Sequence, residues 1–147
     1  MSGPDALVLF VEDSPQDVEA VGRTLAKAHP RARLEAVGDG TSALERLADT
    51  EAELPDLVLL DLNVPGLDGH GVLSTVRRRA PLDGLPVVVL TSSTRPQDVE
   101  ACYRAGANSY VIKPVDLAAF QAILRGVFAY WLGTAPELGT VNQKELP

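Results

Sequence analysis

The sequence has a single cysteine, Cys102, in 147 residues, so no internal disulfide can form, and a reducing compartment is compatible with that. Positive charge is in the minority: 13 Lys and Arg stand against 20 Asp and Glu, a net −7. That balance argues against non-specific nucleic-acid binding and against an anionic membrane surface, and weakly favours metal cations. No apolar run approaches the length of a membrane span. Met1 to Asp5 has no basic region followed by an apolar one. The expectation is a cytoplasmic protein that binds neither nucleic acid nor membrane. The chain also lacks G-x-x-x-x-G-K-[ST] and G-x-G-x-x-G, so it does not read as an ordinary nucleotide binder. There is no internal repeat.

What remains is one domain's worth of chain, 46% hydrophobic and 22% charged, enough for a single sizeable core. Short apolar runs alternate with helical patterns. Ala6–Val11, Leu34–Val37, Leu57–Leu60, Pro86–Leu90 and Ser109–Ile112 read as strands. Between and after them come five helices. The first follows a Ser14 cap with Pro15 at its first position and Asp17 as an acid in its first turn, and runs to about His29, with Val18, Val21 and Leu25 on one face. The second runs from Asp39 to about Asp49 on Ala43, Leu44 and Leu47. The third runs from Gly69 to about Ala80 and is broken by Pro81. The fourth spans Pro96–Ala105 and ends at Gly106, a left-handed cap. The last follows an Asp116 cap and carries an apolar stripe through Phe120, Leu124, Phe128 and Trp131. Such alternation predicts a parallel sheet covered on both faces, and continuous apolar strands agree with it. Residues 1–132 are expected to form this domain. Residues 133–147, rich in Gly, Pro and Thr, read as a C-terminal tail too short for a second domain, so no DNA-binding module is expected.

In open α/β sheets, ligands sit beyond the carboxyl ends of the strands. Here the first strand ends in Glu12-Asp13, the third in Asp61, the fourth in Thr91-Ser92-Ser93 and the fifth in Lys113-Pro114. A parallel sheet brings these to one edge. Two carboxylates about 4 Å apart repel by roughly 4 kcal/mol at an effective dielectric near 20, so the cluster wants a divalent cation. Oxygen-only ligands point to Mg²⁺, and Mg²⁺ suggests phosphate. A hydroxyl at Thr91 and an ammonium at Lys113 would suit the oxygens of a phosphoryl group.

Glu12-Asp13, Asp61, Thr91 and Lys113-Pro114, in this order and spacing, resemble the motif set of the response-regulator receiver domain of two-component signalling, over roughly residues 6–132. The resemblance implies the flavodoxin-like doubly wound fold, a five-stranded parallel sheet in order 2-1-3-4-5 with five helices. It implies that Asp61 is the phosphoacceptor, taking a phosphoryl group from a phosphohistidine on a sensor histidine kinase. Mg²⁺ would be held by Asp13, Asp61 and the backbone carbonyl of Asn63, with Glu12 acting through a metal-bound water. Lys113 would pair with the phosphoryl oxygens. Thr91 would swing to the phosphoryl group, and Tyr110, at the aromatic switch position, would turn inward with it. Lys113-Pro114 matches the family's cis peptide. Asn63 and Ser93 stand where the family tunes the lifetime of the acyl phosphate. The acidic pair is Glu-Asp rather than Asp-Asp, and Ala48–Leu54 reads as a small loop insertion. More narrowly, Gly106–Val115 and Tyr130-Trp131-Leu132 are similar to single-domain regulators that partner phytochrome photoreceptor kinases. That similarity implies a bacteriophytochrome partner and a homodimer formed through the last helix and tail, with Phe128 and Trp131 as core or seam.

The expected protein is thus a phosphorylation switch rather than a dedicated enzyme. Two alternatives compete. A pseudo-receiver would bind partners without phosphate. A hydrolase of the haloacid dehalogenase type also uses an aspartyl phosphate, but its D-x-D pattern is met here by Asn63 after Asp61. Elsewhere the bland readings prevail. Cys102 is a small hydrophobe in a helix. His29 and His70 lack ligand spacing and read as surface residues. Arg77-Arg78-Arg79 reads as a solvated helix end complementing the dipole.

Overall fold

The computed structural model describes residues 6–79 and 82–133. Five strands, β1 (Leu7–Val11), β2 (Arg33–Val37), β3 (Leu57–Leu60), β4 (Val87–Thr91) and β5 (Ser109–Ile112), alternate with α1 (Pro15–Ala28), α2 (Gly40–Ala48), α3 (Gly69–Arg78), α4 (Pro96–Ala105) and α5 (Leu117–Leu132). A short 3₁₀ turn at Leu82–Gly84 links α3 to β4 and was not expected from the sequence. All strand pairs are parallel and the order is β2-β1-β3-β4-β5, as expected. Ala80, Pro81 and the tail from residue 134 onward lie outside the described residues. Among the described residues no helix is long and apolar enough to cross a membrane.

Helix starts follow from side-chain caps. Ser14, Asp39, Asp68 and Asp116 each accept the backbone N–H three residues on, which satisfies a donor the helix cannot. Asp39 is therefore a cap rather than the first helical residue. Gly106 closes α4 at φ 109°, ψ 18°, the left-handed turn expected of it.

The strands are buried on both faces because each face has its own core. Leu9, Val11, Val58, Leu60, Val87 and Val89 pack toward α2, α3 and α4. Val8, Phe10, Leu57, Leu59, Val88 and Leu90 pack toward α1 and α5. Side chains alternate across a strand, so one continuous apolar run supplies both layers. Phe120, Leu124 and Phe128, spaced four apart on α5, fill the second core. Phe128 is fully buried within the chain, so it is core and cannot form a dimer seam. Trp131 is half-buried against the same cluster and meets Tyr130 edge-on.

Arg77 overturns the reading of a solvated basic helix end. Its guanidinium is half-buried and donates to the carbonyls of Gly106 at 2.9 Å, Asp83 at 3.1 Å and Leu85 at 2.7 Å, and to Asn108 Oδ1 at 2.7 Å. Asn108 Oδ1 also accepts the Val87 N–H. One side chain thus buckles α3, the 3₁₀ turn, the end of α4 and the starts of β4 and β5. His29 and His70 are partly buried rather than fully on the surface.

Candidate functional site

The parallel ladder builds the site. Val11 lies beside Val37 and Leu60, Leu60 beside Val89, and Thr91 beside Ile112. The ladder continues one residue past the strands: the N–H groups of Glu12, Asp61 and Lys113 donate to Val37, Val11 and Thr91. Glu12, Asp61 and Lys113 are therefore placed by backbone hydrogen bonds, at the carboxyl edge of the sheet.

Their side chains converge. Lys113 Nζ lies 2.7 Å from Asp61 Oδ2, 3.0 Å from Glu12 Oε1 and 2.8 Å from Asp17 Oδ2. The other oxygen of Asp61 accepts the Asn63 N–H at 2.8 Å, and the other oxygen of Glu12 accepts the Ser14 N–H at 3.1 Å. Asp61 and Glu12 are buried. Burial, and Asp61 beside it, push the Glu12 carboxyl up to about 7 against the pull of Lys113. Burial also works to raise Asp61, but Glu12 and Lys113 beside it hold its carboxyl below the ordinary range. Burial works against the Lys113 ammonium, yet Asp17, Asp61 and Glu12 hold its proton and raise its pKa. The two buried acids are thus driven apart, Glu12 toward its protonated form and Asp61 toward its ionised one.

Asp13 is exposed at the same strand end and is not among the carboxylates that Lys113 holds. Asp17, read from the sequence only as an acid in a first turn, takes that third position. Among the described residues no group of three or more His, Cys, Asp or Glu stands in a metal-holding arrangement; Glu12, Asp17 and Asp61 converge on the Lys113 ammonium. The donor set still fits a hard cation. It is all oxygen, and it carries more negative charge than one lysine offsets.

Thr91 and Tyr110 meet at one residue. Thr91 is fully buried at the end of β4, and its hydroxyl accepts the Ser93 N–H at 3.4 Å. Tyr110 is half-buried against the first core, and its hydroxyl donates to the Ser93 carbonyl at 2.9 Å. Ser93 in turn gives its own hydroxyl to Asp98, on which Arg95 also forks. Neither Asp98 nor Arg95 was singled out from the sequence; the pattern Ser93-x-Arg95-x-x-Asp98 was the available signal. A cleft of about 460 Å³ opens between the loop that follows Asp61 and the end of β4, bordered by Leu62, Asn63, Thr91, Ser93, Arg95 and Asp98.

Residues 8–125 match the response regulator receiver domain family. The chain is 38% identical over 130 residues to the probable methanogenesis regulatory protein FilR2 of Methanothrix harundinacea, covering 86% of this chain and 84% of that protein. It is 34% identical over 137 residues to response regulator Rcp1 of Synechocystis sp., covering 90% and 93%. Among solved structures, the phosphorylated cyanobacterial phytochrome response regulator RcpA superposes with a TM-score of 0.84 at 32% identity, over 89% of this chain and 96% of that one. The Mn²⁺-bound form of Rcp1 follows at 0.83, and a sensor-kinase receiver domain of Pseudomonas aeruginosa, at 0.69 and 29% identity, holds magnesium in its active-site cleft. The match runs from β1 into α5 and includes the whole acid–lysine edge, and on that ground the chain belongs to the response-regulator receiver domain family.

Proposed function

We propose that this protein is a phosphorylation-dependent signalling switch in which Asp61 is the phosphoacceptor. The observation that carries the reading is the contact of Lys113 Nζ with Asp61 Oδ2, inside a buried edge where the Glu12 carboxyl is pushed up and the Asp61 carboxyl is held below the ordinary range. The free pair of electrons on an Asp61 carboxylate oxygen would attack phosphorus of a phosphohistidine. A P–O bond forms to Asp61 as the P–N bond breaks, and the imidazole leaves with the electron pair and takes up a proton. Asn63 N–H and Lys113 fix the carboxylate for that attack. Lys113 can then follow the new negative charge onto the phosphoryl oxygens, a charge-assisted contact.

Glu12, Asp13, Asp61 and the Asn63 carbonyl are the groups that would hold Mg²⁺. When bound, Mg²⁺ supplies charge neutralisation for the dianion and its attacker. The switch would run through Thr91 and Tyr110. Ser93 links them, so drawing the Thr91 hydroxyl to the phosphoryl group disturbs the residue that anchors the Tyr110 ring. Lys113 leaving Asp17 and Glu12 gives the second conformer its electrostatic bias. Hydrolysis by an in-line water returns Asp61 and inorganic phosphate.

The reading extends to a receiver unit over residues 1–132 with a tail over 133–147, acting as a phosphoacceptor rather than a dedicated enzyme, in the cytoplasm. Receiver domains partner histidine kinases. The similarity to the phytochrome response regulator RcpA favours a phytochrome-type kinase for this chain, and the exposed Tyr130 beside half-buried Trp131 at the end of α5 supports a homodimer through the last helix and tail.

Acetyl phosphate tests the chemistry. Wild type with Mg²⁺ is expected to gain one phosphoryl group by intact mass, and Asp61→Asn or EDTA to abolish the gain. A wild type that stays unmodified would instead make the domain a phosphate-independent binding module.

A further inference from the structure

The cleft lined by Leu62 and Asn63, which directly follow Asp61, and by Thr91 is unevenly charged. Arg95 sits at the start of α4, and its side chain makes no cap hydrogen bond there. Its guanidinium forks on Asp98, Nε to Oδ2 at 3.2 Å and Nη2 to Oδ1 at 3.0 Å. Arg95 is 66% exposed and Asp98 only 20%. Asp98 has a second partner, the Ser93 hydroxyl, so its carboxylate stays partly satisfied when the arginine leaves. An ion pair whose arginine is this exposed holds weakly. A phosphoryl dianion offers the same two-oxygen geometry with more charge, and a planar guanidinium is well shaped to take it. Asp68 and Asp98 are the fixed negative charges bordering the cleft; His70 also lines it, and Arg95 is the strong cation among these residues. Without the arginine, an incoming anion would meet two carboxylates.

We propose that Arg95 is a specificity-determining residue for the phosphoryl donor: its guanidinium exchanges the Asp98 carboxylate for the donor's phosphoryl oxygens as they enter the cleft, and Asp98 sets how available that arm is. This rests on the reading of Asp61 as phosphoacceptor. The step itself is unchanged. With acetyl phosphate, the Asp61 oxygen forms the new P–O bond, the bond from phosphorus to the acetyl oxygen breaks, and acetate leaves with the electron pair. Arg95 contributes recognition and moves no proton.

The two partners should act in opposite directions, which loss of structure alone would not produce. In saturation curves with acetyl phosphate and Mg²⁺, Arg95→Ala should raise the half-saturating donor concentration about 5- to 20-fold with little change in the maximal rate, the loss of a bidentate charged contact. Asp98→Asn should lower it about two- to five-fold by freeing the arm. Arg95→Lys should fall between wild type and Arg95→Ala, keeping the charge without the fork. Phosphoramidate, which carries less net negative charge than acetyl phosphate, should feel Arg95→Ala least. Equal shifts for both donors, or Arg95→Ala and Asp98→Asn moving the same way, would overturn the inference while wild type still phosphorylates and Asp61→Asn does not. A wild type that takes no phosphoryl group from either donor would overturn the Asp61 reading, and this inference with it. Each variant's melting temperature, matched to wild type, ties the shifts to the cleft.

Discussion

Two partly buried cations organise this molecule, and they are bonded in opposite ways. Arg77 spends its donors on backbone carbonyls and one amide oxygen, none of which can titrate. Lys113 spends its donors on three carboxylates, all of which can. The arginine joins segments from residue 77 to residue 108 and has no alternative partner of equal number. The lysine can trade any of its three acids for another anion at modest cost. A fold that must stay put uses the first arrangement, and a site that must rearrange uses the second.

Breaking the structural member should cost most. Arg77→Ala leaves five carbonyl or amide oxygens, those of Leu82, Asp83, Leu85, Gly106 and Asn108, without their shared donor, and part of that set is shielded from water. We expect a loss of about 3 kcal/mol in unfolding free energy, read from the urea midpoint. Arg77→Lys should recover less than half, because an ammonium cannot span acceptors arranged for a planar fork. The surroundings are built to the arginine's shape: a Cβ on Gly106 would fall 2.5 Å from Arg77 Cγ, besides sitting at φ 109°. Neither variant should respond to Mg²⁺.

Breaking the switching member should cost less and be repairable. Lys113→Ala leaves buried Glu12 and Asp61 without their cation, a penalty of about 2 kcal/mol in EDTA. Millimolar Mg²⁺ should restore most of it, since a divalent ion answers the same surplus charge. Thermal melts with and without Mg²⁺ check this. A Lys113→Ala protein insensitive to Mg²⁺ would remove the distinction between the two cations.

The strands were legible because buried parallel strands are continuously apolar, and Leu57–Leu60 could be placed to the residue. Helix starts were legible from Ser14 and Asp116, whose caps act within three residues, while Asp39 reads as the first residue of its helix and the Asp68 cap is not singled out by the sequence. The gathering of Glu12, Asp61, Thr91 and Lys113 was legible because a parallel sheet sends every strand end to one edge. What escaped was long-range and polar. Asp17 reads as a first-turn acid, and nothing local says that Lys113, 96 residues on, will reach it. Arg77 reads as a solvated helix end, while its acceptors lie up to 31 residues away. On α5 the apolar stripe is wider than one core face, so periodicity could not separate fully buried Phe128 from half-buried Trp131. In each case the deciding partner is set by packing, and hydrophobic pattern does not encode it.

The smallest effect sharpens the comparison furthest, because it asks whether titration is confined to one cation. Glu12 has an ordinary value near 4.5 and is pushed up to about 7 in the fold, first by burial and then by Asp61. Its folded pKa lies above its unfolded one, so between those values the folded chain binds more protons than the unfolded chain. Stability from this group is therefore complete below about pH 4.5 and drains away as pH rises through 7. Solvent at the sheet edge screens the effect, and about 1–2 kcal/mol should be lost between pH 5 and pH 8 in EDTA. Glu12→Gln cannot lose a proton, so it should gain on wild type by that amount over the same range. Arg77→Ala should show the same deficit at both pH values, since no acceptor of Arg77 titrates. Denaturation curves of the three proteins at pH 5 and pH 8 decide it. Parallel pH profiles for wild type and Glu12→Gln would mean that Lys113 holds both acids ionised, and the lysine would then be as fixed a structural member as the arginine.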